Sequence, residues 1–320
     1  MSRGDRHRAG TGPARAGTGP ARRGAAVQHG YRVAGHEPEQ AGGVAGGREP
    51  SAADGASIRA SSSQRAPWFE VSCCPPNVAR TLASLNALLA TVDENGVQLH
   101  QYAPCTIRAE LPGGQPVGLE LATAYPRDGL VRVRVSDDAD EPWTLTLRVP
   151  AWAGRSTLVT RPVDGPESVR PVDPGSADVR RRFLAGDVVE LQLPMPAWVS
   201  RADPRADAVR GCVVVERGPL VFCLESVDLS AATGGQVDDV AAARLDLDRP
   251  PRVVNGDVVV DLRLSGPSTG DWPYRPDGTD PVGSERVEVR LTPYHAWAER
   301  GPSTMRVWLP VAEPGAEDRS

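Results

Sequence analysis

The spacing of apolar residues along the chain changes once, near residue 96. Within PPNVARTLASLNALLATV at 75–92, apolar residues recur at Val78, Leu82, Leu85, Leu89 and Val92, with Leu88 widening the stripe. Steps of three and four residues predict an amphipathic helix. Pro75 and Pro76 suit its entrance, where a missing N–H costs little, and Asp93-Glu94-Asn95-Gly96 supplies turn residues at its end. From Val97 onward the period is two. Val117, Leu119 and Leu121 alternate with Gly118, Glu120 and Ala122. The same alternation runs through Val131–Val135, Trp143–Val149, Val189–Leu193, Val258–Leu264 and Val287–Leu291. Short strands with one buried face, parted by Gly, Pro and Asp turns, predict antiparallel sheets. Their extent predicts two β-sandwich domains, divided near Pro194–Arg210, where MPAWVSRADPRADAVR is broken by proline and charge. The helix stands apart: nothing helical follows it, so its apolar stripe needs partners that the downstream chain does not supply.

Composition changes the picture for the first 66 of the 320 residues. That segment holds ten arginines against five acidic residues, and its large apolar residues are only Met1, Tyr31 and Ile58. With so little to bury, it is expected to stay disordered. AGTGPAR occurs twice in tandem, at 9–15 and 16–22, but its Gly and Pro exclude a coiled coil. No apolar core of a signal peptide is visible. All 36 basic residues of the chain are arginine, with no lysine, as GC-rich coding would give. In that context the abrupt change at Ala66–Pro67 also raises an out-of-frame N-terminus. The expected organisation is therefore 1–66 disordered, 67–93 helical, 94–200 and 201–312 as the two β-sandwich domains, and 313–320 as a tail. A net charge of −5 argues against a nucleic-acid binder, and no apolar run is long enough to cross a membrane as a helix.

The five cysteines, Cys73, Cys74, Cys105, Cys212 and Cys223, are odd in number and irregular in spacing, which is no disulfide framework. Cys212 and Cys223 lie in apolar strand text and read as small core residues; Cys105, after Pro104, reads as a strand-edge residue. Cys73-Cys74 directly precedes the two prolines. Unpaired N–H groups and partial positive charge at a helix N-terminus favour thiolate, the form that binds zinc or attacks carbon. The pair is thus a candidate metal-binding or nucleophilic site, or else two buried thiols at a helix start. Zinc needs three or four donors. The nearest others, His100 and Cys105, have an odd separation that places them on opposite faces of one strand, which disfavours a self-contained Cys73/Cys74/His100/Cys105 site. His295, in PYHAW, reads as a packed residue.

Three stretches carry a resemblance. WFEVSCCPPNVARTLASL at 68–85, VERGPLVFCLESVD at 215–228 and LTPYHAWAERGPSTMRVWLP at 291–310 resemble, in order, motifs of glycoside hydrolase family 127, the β-L-arabinofuranosidase family. The resemblance implies an (α/α)₆ catalytic barrel followed by β-sandwich domains, with 67–93 as the end of that barrel. It implies a retaining glycosidase with a cysteine nucleophile on zinc, unlike the two-carboxylate plan. By motif match, Cys73 is the nucleophile and a zinc ligand, and Cys74 a further ligand. The family's other two ligands, a Glu and a Cys, and its general acid/base Glu lie upstream of the cysteine pair. No cysteine precedes Cys73 here, and Glu37, Glu39 and Glu49 stand in glycine-rich text without the motif.

The expected fold is mainly β: two antiparallel sandwiches preceded by one helix of a truncated barrel and a disordered N-terminus. The expected function is the C-terminal part of a zinc-dependent retaining glycosidase on arabinofuranosyl-type glycans, inactive alone. A non-catalytic carbohydrate-binding or scaffolding module, and a structural zinc or redox protein, are the alternatives. Expected partners are a carbohydrate, with no nucleic acid and no membrane; a homo-oligomer stays open, and the cytoplasm is the default location.

Overall fold

The structure, a computed structural model, describes residues 23–24, 73–265 and 282–312. The expectations for 1–66, apart from the backbone of 23–24, for the first six residues of the 67–93 segment and for the 313–320 tail lie outside the described residues.

The helix runs over Cys74–Ser84 and tightens into a 3₁₀ turn at Leu85–Leu88. It is shorter than its periodicity predicts. Ala90–Val92 is a strand, paired antiparallel with Gly96–Leu99 through Val92↔Val97 and Ala90↔Leu99. The Asp93–Gly96 turn explains the difference. Asp93 Oδ1 accepts from the backbone of Asn95 at 2.8 Å and of Gly96 at 3.2 Å, which closes a hairpin. β-Branched Thr91 and Val92 fit a pleated strand better than a helix end.

Each of the six alternating segments is a strand. The first sandwich sets two sheets face to face. One is ordered Arg23–Gly24, Ala90–Val92, Gly96–Leu99, Trp143–Val149, Gly175–Arg181. The other is ordered Cys105–Glu110, Pro116–Thr123, Leu130–Val135, Val188–Gln192, Ser156–Arg161, Ser168–Val172. Ile107, Leu119, Val131 and Leu191 from one meet Val97, Leu99, Leu145 and Leu147 from the other in a single core. Trp143 and Phe183 pack there with ring centroids 4.4 Å apart. One pairing departs from the antiparallel expectation: Gly96–Leu99 runs parallel to Trp143–Val149. The chain between them crosses into the opposite sheet for three strands, the kind of long connection a parallel pair requires. Gly96 sits at this join with φ +151°, and a Cβ there would lie 2.0 Å from the carbonyl oxygen of Thr144, so the close strand approach demands glycine.

The second unit is one nine-stranded sheet folded over a single core. The strand Val282–Pro293 joins its halves, pairing with Asp257–Ser265 over most of its length and with Leu220–Glu225 at Thr292 and Pro293. Ala197–Arg201 pairs with Cys212–Arg217 in this sheet. Leu309 pairs with Val213, and Val311 bridges Leu245 in parallel, which draws the sheet's far edge back on itself. The short helix Ser226–Ala232 inserts Leu229 into the core. Across the seam between the two units runs an aromatic ladder. Tyr102 meets Tyr125 edge-on at 5.8 Å, Tyr125 stacks on Trp152 at 6.4 Å, and Trp152 stacks on Trp198 at 6.4 Å.

Arginine alone supplies the long cations, and it is used for shared ion pairs. Buried Glu190 accepts from Arg132 at 2.6 Å and from Arg161. Buried Asp246 accepts from Arg286 at 2.6 Å and Arg263 at 2.9 Å. Burial raises both carboxyl pKa values, but the arginine bonds outweigh it and hold both below the usual range. A depressed folded pKa adds stability that is present above the unfolded value and lost as pH falls through the folded one. The thermal midpoint is therefore expected to fall on acidification below about pH 4, where unfolded carboxylates titrate. Thermal unfolding followed from pH 7 to pH 3 checks this; a midpoint that rises below pH 4 would contradict it.

Candidate active site

Cys73 caps the N-terminus of the Cys74–Ser84 helix, and Cys74 is its first residue, followed by the prolines. Both thiols are exposed, so the pair does not sit buried at the helix start. Their sulfurs lie 3.8 Å apart. Two thiolate ligands of a tetrahedral zinc, each at about 2.3 Å, are held about 3.8 Å from one another. The adjacent cysteines therefore already stand at the edge length of a zinc tetrahedron. Among the described residues no group of three or more His, Cys, Asp or Glu converges on a metal position, and the pair by itself offers two sulfur donors.

The structure does not bring His100 and Cys105 to the pair. His100 Nε2 is 2.8 Å from the hydroxyl of Thr91, and its carbonyl accepts from Arg148 at 2.8 Å. Cys105 opens a strand and packs against the first core, where burial pushes its thiol pKa up. That favours an inert thiol over a ligand. Cys223 is buried as expected, while Cys212 is half-buried. His295 lies in the 3₁₀ turn Tyr294–Ala296.

The helix carrying the pair buries none of its residues, and Val78, Leu82 and Leu88 are 59%, 66% and 53% exposed. An apolar stripe left in water forfeits the burial that stabilises most protein helices.

The other two motifs meet in space and build structure rather than a reaction centre. Glu225 and Asp228 come from 215–228, and Arg300 from 291–310. Arg300 donates to both Asp228 oxygens at 2.6 Å, to Glu225 at 2.5 Å and to the Thr292 hydroxyl at 2.8 Å. Hydrogen bonds from Arg300 to the two carboxylates raise its pKa, so it stays a cation. Glu225 also accepts from the backbone of Ala298 at 2.9 Å, which holds that residue at φ +59°. Trp297 Nε1 donates to the carbonyl of Ser303 at 3.0 Å.

Sequence reasoning missed two features. The aromatic ladder draws residues from far apart in the chain, with no shared spacing. The second is a cavity of about 540 Å³ on the outer face of the first sheet, lined by Asp93, Gln98, Thr146, Asp178, Arg180 and their neighbours. Its signal lay in the polar half of the strand alternation, which reads as an ordinary solvated face.

Comparison with known proteins matches both units. Residues 96–195 match the model of the β-L-arabinofuranosidase GH127 middle domain, and residues 198–310 that of the glycoside hydrolase family 127 C-terminal domain. The chain belongs to glycoside hydrolase family 127. A non-reducing end β-L-arabinofuranosidase of Bifidobacterium longum subsp. longum is 34% identical over 257 residues, which cover 77% of this chain and 38% of the relative. A solved glycoside hydrolase superposes with a TM-score of 0.67 at 30% identity, covering 82% of this chain and 43% of its own. A GH127 β-L-arabinofuranosidase from Geobacillus stearothermophilus T6 gives 0.63 at 31% identity, covering 78% and 39%. This family 127 chain thus spans well under half the length of the relatives it matches.

Proposed function

We propose that the chain is the C-terminal part of a retaining glycosidase acting on β-L-arabinofuranosyl groups of arabinose-containing glycans. The observation that carries this reading is the exposed cysteine pair, set at zinc-ligand spacing on a helix whose apolar face no described residue covers. Partner helices from an upstream barrel would bury that face and bring the remaining donors to the sulfurs. Cys73 and Cys74 would hold zinc, which would keep a thiolate ionised at neutral pH. Cys73 Sγ attacks the anomeric carbon, forming a C–S bond as the glycosidic C–O bond breaks. A carboxylic acid of the upstream part protonates the departing oxygen. Attack by water on the same carbon, its proton passing to the carboxylate left by that acid, then breaks the C–S bond and returns the thiolate, with net retention. The β units anchor the C-terminal end of that helix through the Ala90–Val92 hairpin.

A chimera joining the upstream part of the Bifidobacterium relative to residues 67–320 is expected to hydrolyse an aryl β-L-arabinofuranoside. A folded chimera that binds zinc yet gives no turnover would overturn the reading.

A further inference from the structure

The outer face of the first sheet is polar in a regular way. Pairing sets Gln98, Thr146 and Asp178 side by side on one rung, and Gly96, Thr144 and Arg180 on the next. All but Gly96, which has no side chain, project away from the core, because Leu145, Leu147 and Ala177 take the inward positions. Together with Asp93, Asn95 and Ser176 they line the cavity of about 540 Å³. This lies within the range of small-molecule sites, roughly 300–1,000 Å³. Such sites are mostly apolar, whereas this lining holds hydroxyls, amides, two carboxylates and one guanidinium, with no aromatic or aliphatic side chain. A polyol is the ligand class that such a surface suits.

The acceptors are fixed in place. Asp93 is held by the backbone of Asn95 and Gly96 and by the Gln98 amide. Asp178 Oδ1 accepts from the Thr146 hydroxyl at 2.8 Å. Among the described residues Arg180 has no ion pair, so its guanidinium is available to a ligand. Strands stand about 4.8 Å apart, and outward residues follow one another at about 7 Å along a strand. A sugar ring lying flat across two rungs therefore meets donors and acceptors from three strands at once. The short Thr144, Thr146 and Asp178 side chains lose little conformational freedom on binding.

We propose that this shelf is a second, non-catalytic site that binds arabinose-containing oligosaccharides and holds a glycan near the protein. The sugar class rests on the proposed function; the position of the site does not. It needs neither cysteine nor zinc.

The test is affinity electrophoresis of the 320-residue chain in gels containing arabinan, with dextran as the control glycan. The wild-type chain is expected to be retarded by arabinan and not by dextran. The double variant Asp178→Ala/Arg180→Ala is expected to lose at least ten-fold of the apparent affinity while unfolding at the wild-type temperature, as exposed positions allow. Gln98→Ala provides an independent loss from another strand. Cys73→Ser and a chelator are expected to leave retardation unchanged. Absence of retardation, equal retardation by dextran, or retardation untouched by the shelf variants would overturn the shelf. A folded, zinc-binding chimera without turnover but with intact retardation would overturn the catalytic reading alone, and an active chimera without retardation the shelf alone.

Discussion

Cys73→Ser in the active chimera is expected to lower turnover of the aryl β-L-arabinofuranoside by about 10⁴-fold or more, the scale on which enzymes lose rate with their nucleophile. A serine hydroxyl is far less ionised than a thiol near neutral pH and is the weaker nucleophile. The replacement also removes one of the two sulfurs now 3.8 Å apart, so the loss of zinc affinity should accompany the loss of rate. The thermal midpoint of the β units should not move, because Cys73 is exposed and packs against neither core. Cys74→Ser should reduce zinc retention without removing the attacking atom, and so cost less. Kinetics with zinc quantified on the same samples separates the two effects. Equal activity of Cys73→Ser and wild type would remove Cys73 from the mechanism.

Arg300→Met is expected to destabilise the second unit by about 3 kcal/mol or more, the scale for breaking a buried ion pair from one side. Glu225 is fully buried and Asp228 nearly so, and both depend on this guanidinium. Methionine replaces much of the apolar stem but leaves two carboxylates without their cation. Arg300 itself is partly exposed, which lets water reach the gap and places the loss toward the lower end of that range. Urea unfolding of the whole chain measures it. A companion variant, Arg300→Lys, keeps the charge but cannot reproduce the fork that spans both Asp228 oxygens, and should recover only part of the loss. A change in the free energy of unfolding of less than about 0.5 kcal/mol, the ordinary range for surface substitutions, would contradict the assignment.

Much of this architecture was legible in the sequence because alternation is a local signal. Trp143, Leu145, Leu147 and Val149 face inward, just as their spacing requires. The parallel join at Gly96 was not legible, since it depends on where a strand returns after three others have been laid down. Leu89 and Val92 fitted a helical period by spacing alone, yet Val92 lies in the hairpin strand closed by the Asp93 turn, and Leu89 in the turn before that strand. The cysteine pair was legible as adjacent thiols before two prolines, and so was the unpartnered stripe of the helix behind it, whose Val78, Leu82 and Leu88 are exposed; the exposure of the thiols themselves was not. The resemblance motifs at 215–228 and 291–310 stood out in the sequence without disclosing their role. The structure shows why they are specific: Glu225, Asp228 and Arg300 must meet across 75 positions of chain. The polar shelf escaped notice because Thr144, Thr146, Asp178 and Arg180 look like any solvated face until register sets them in rungs.

The central claim is that these β units and their cysteine-bearing helix supply one part of a glycosidase site that an upstream domain must complete. The most direct measurement is hydrolysis of an aryl β-L-arabinofuranoside by the 320-residue chain alone, with zinc present. No turnover above the uncatalysed rate is predicted. Turnover by the isolated chain that is abolished in Cys73→Ala would contradict the claim.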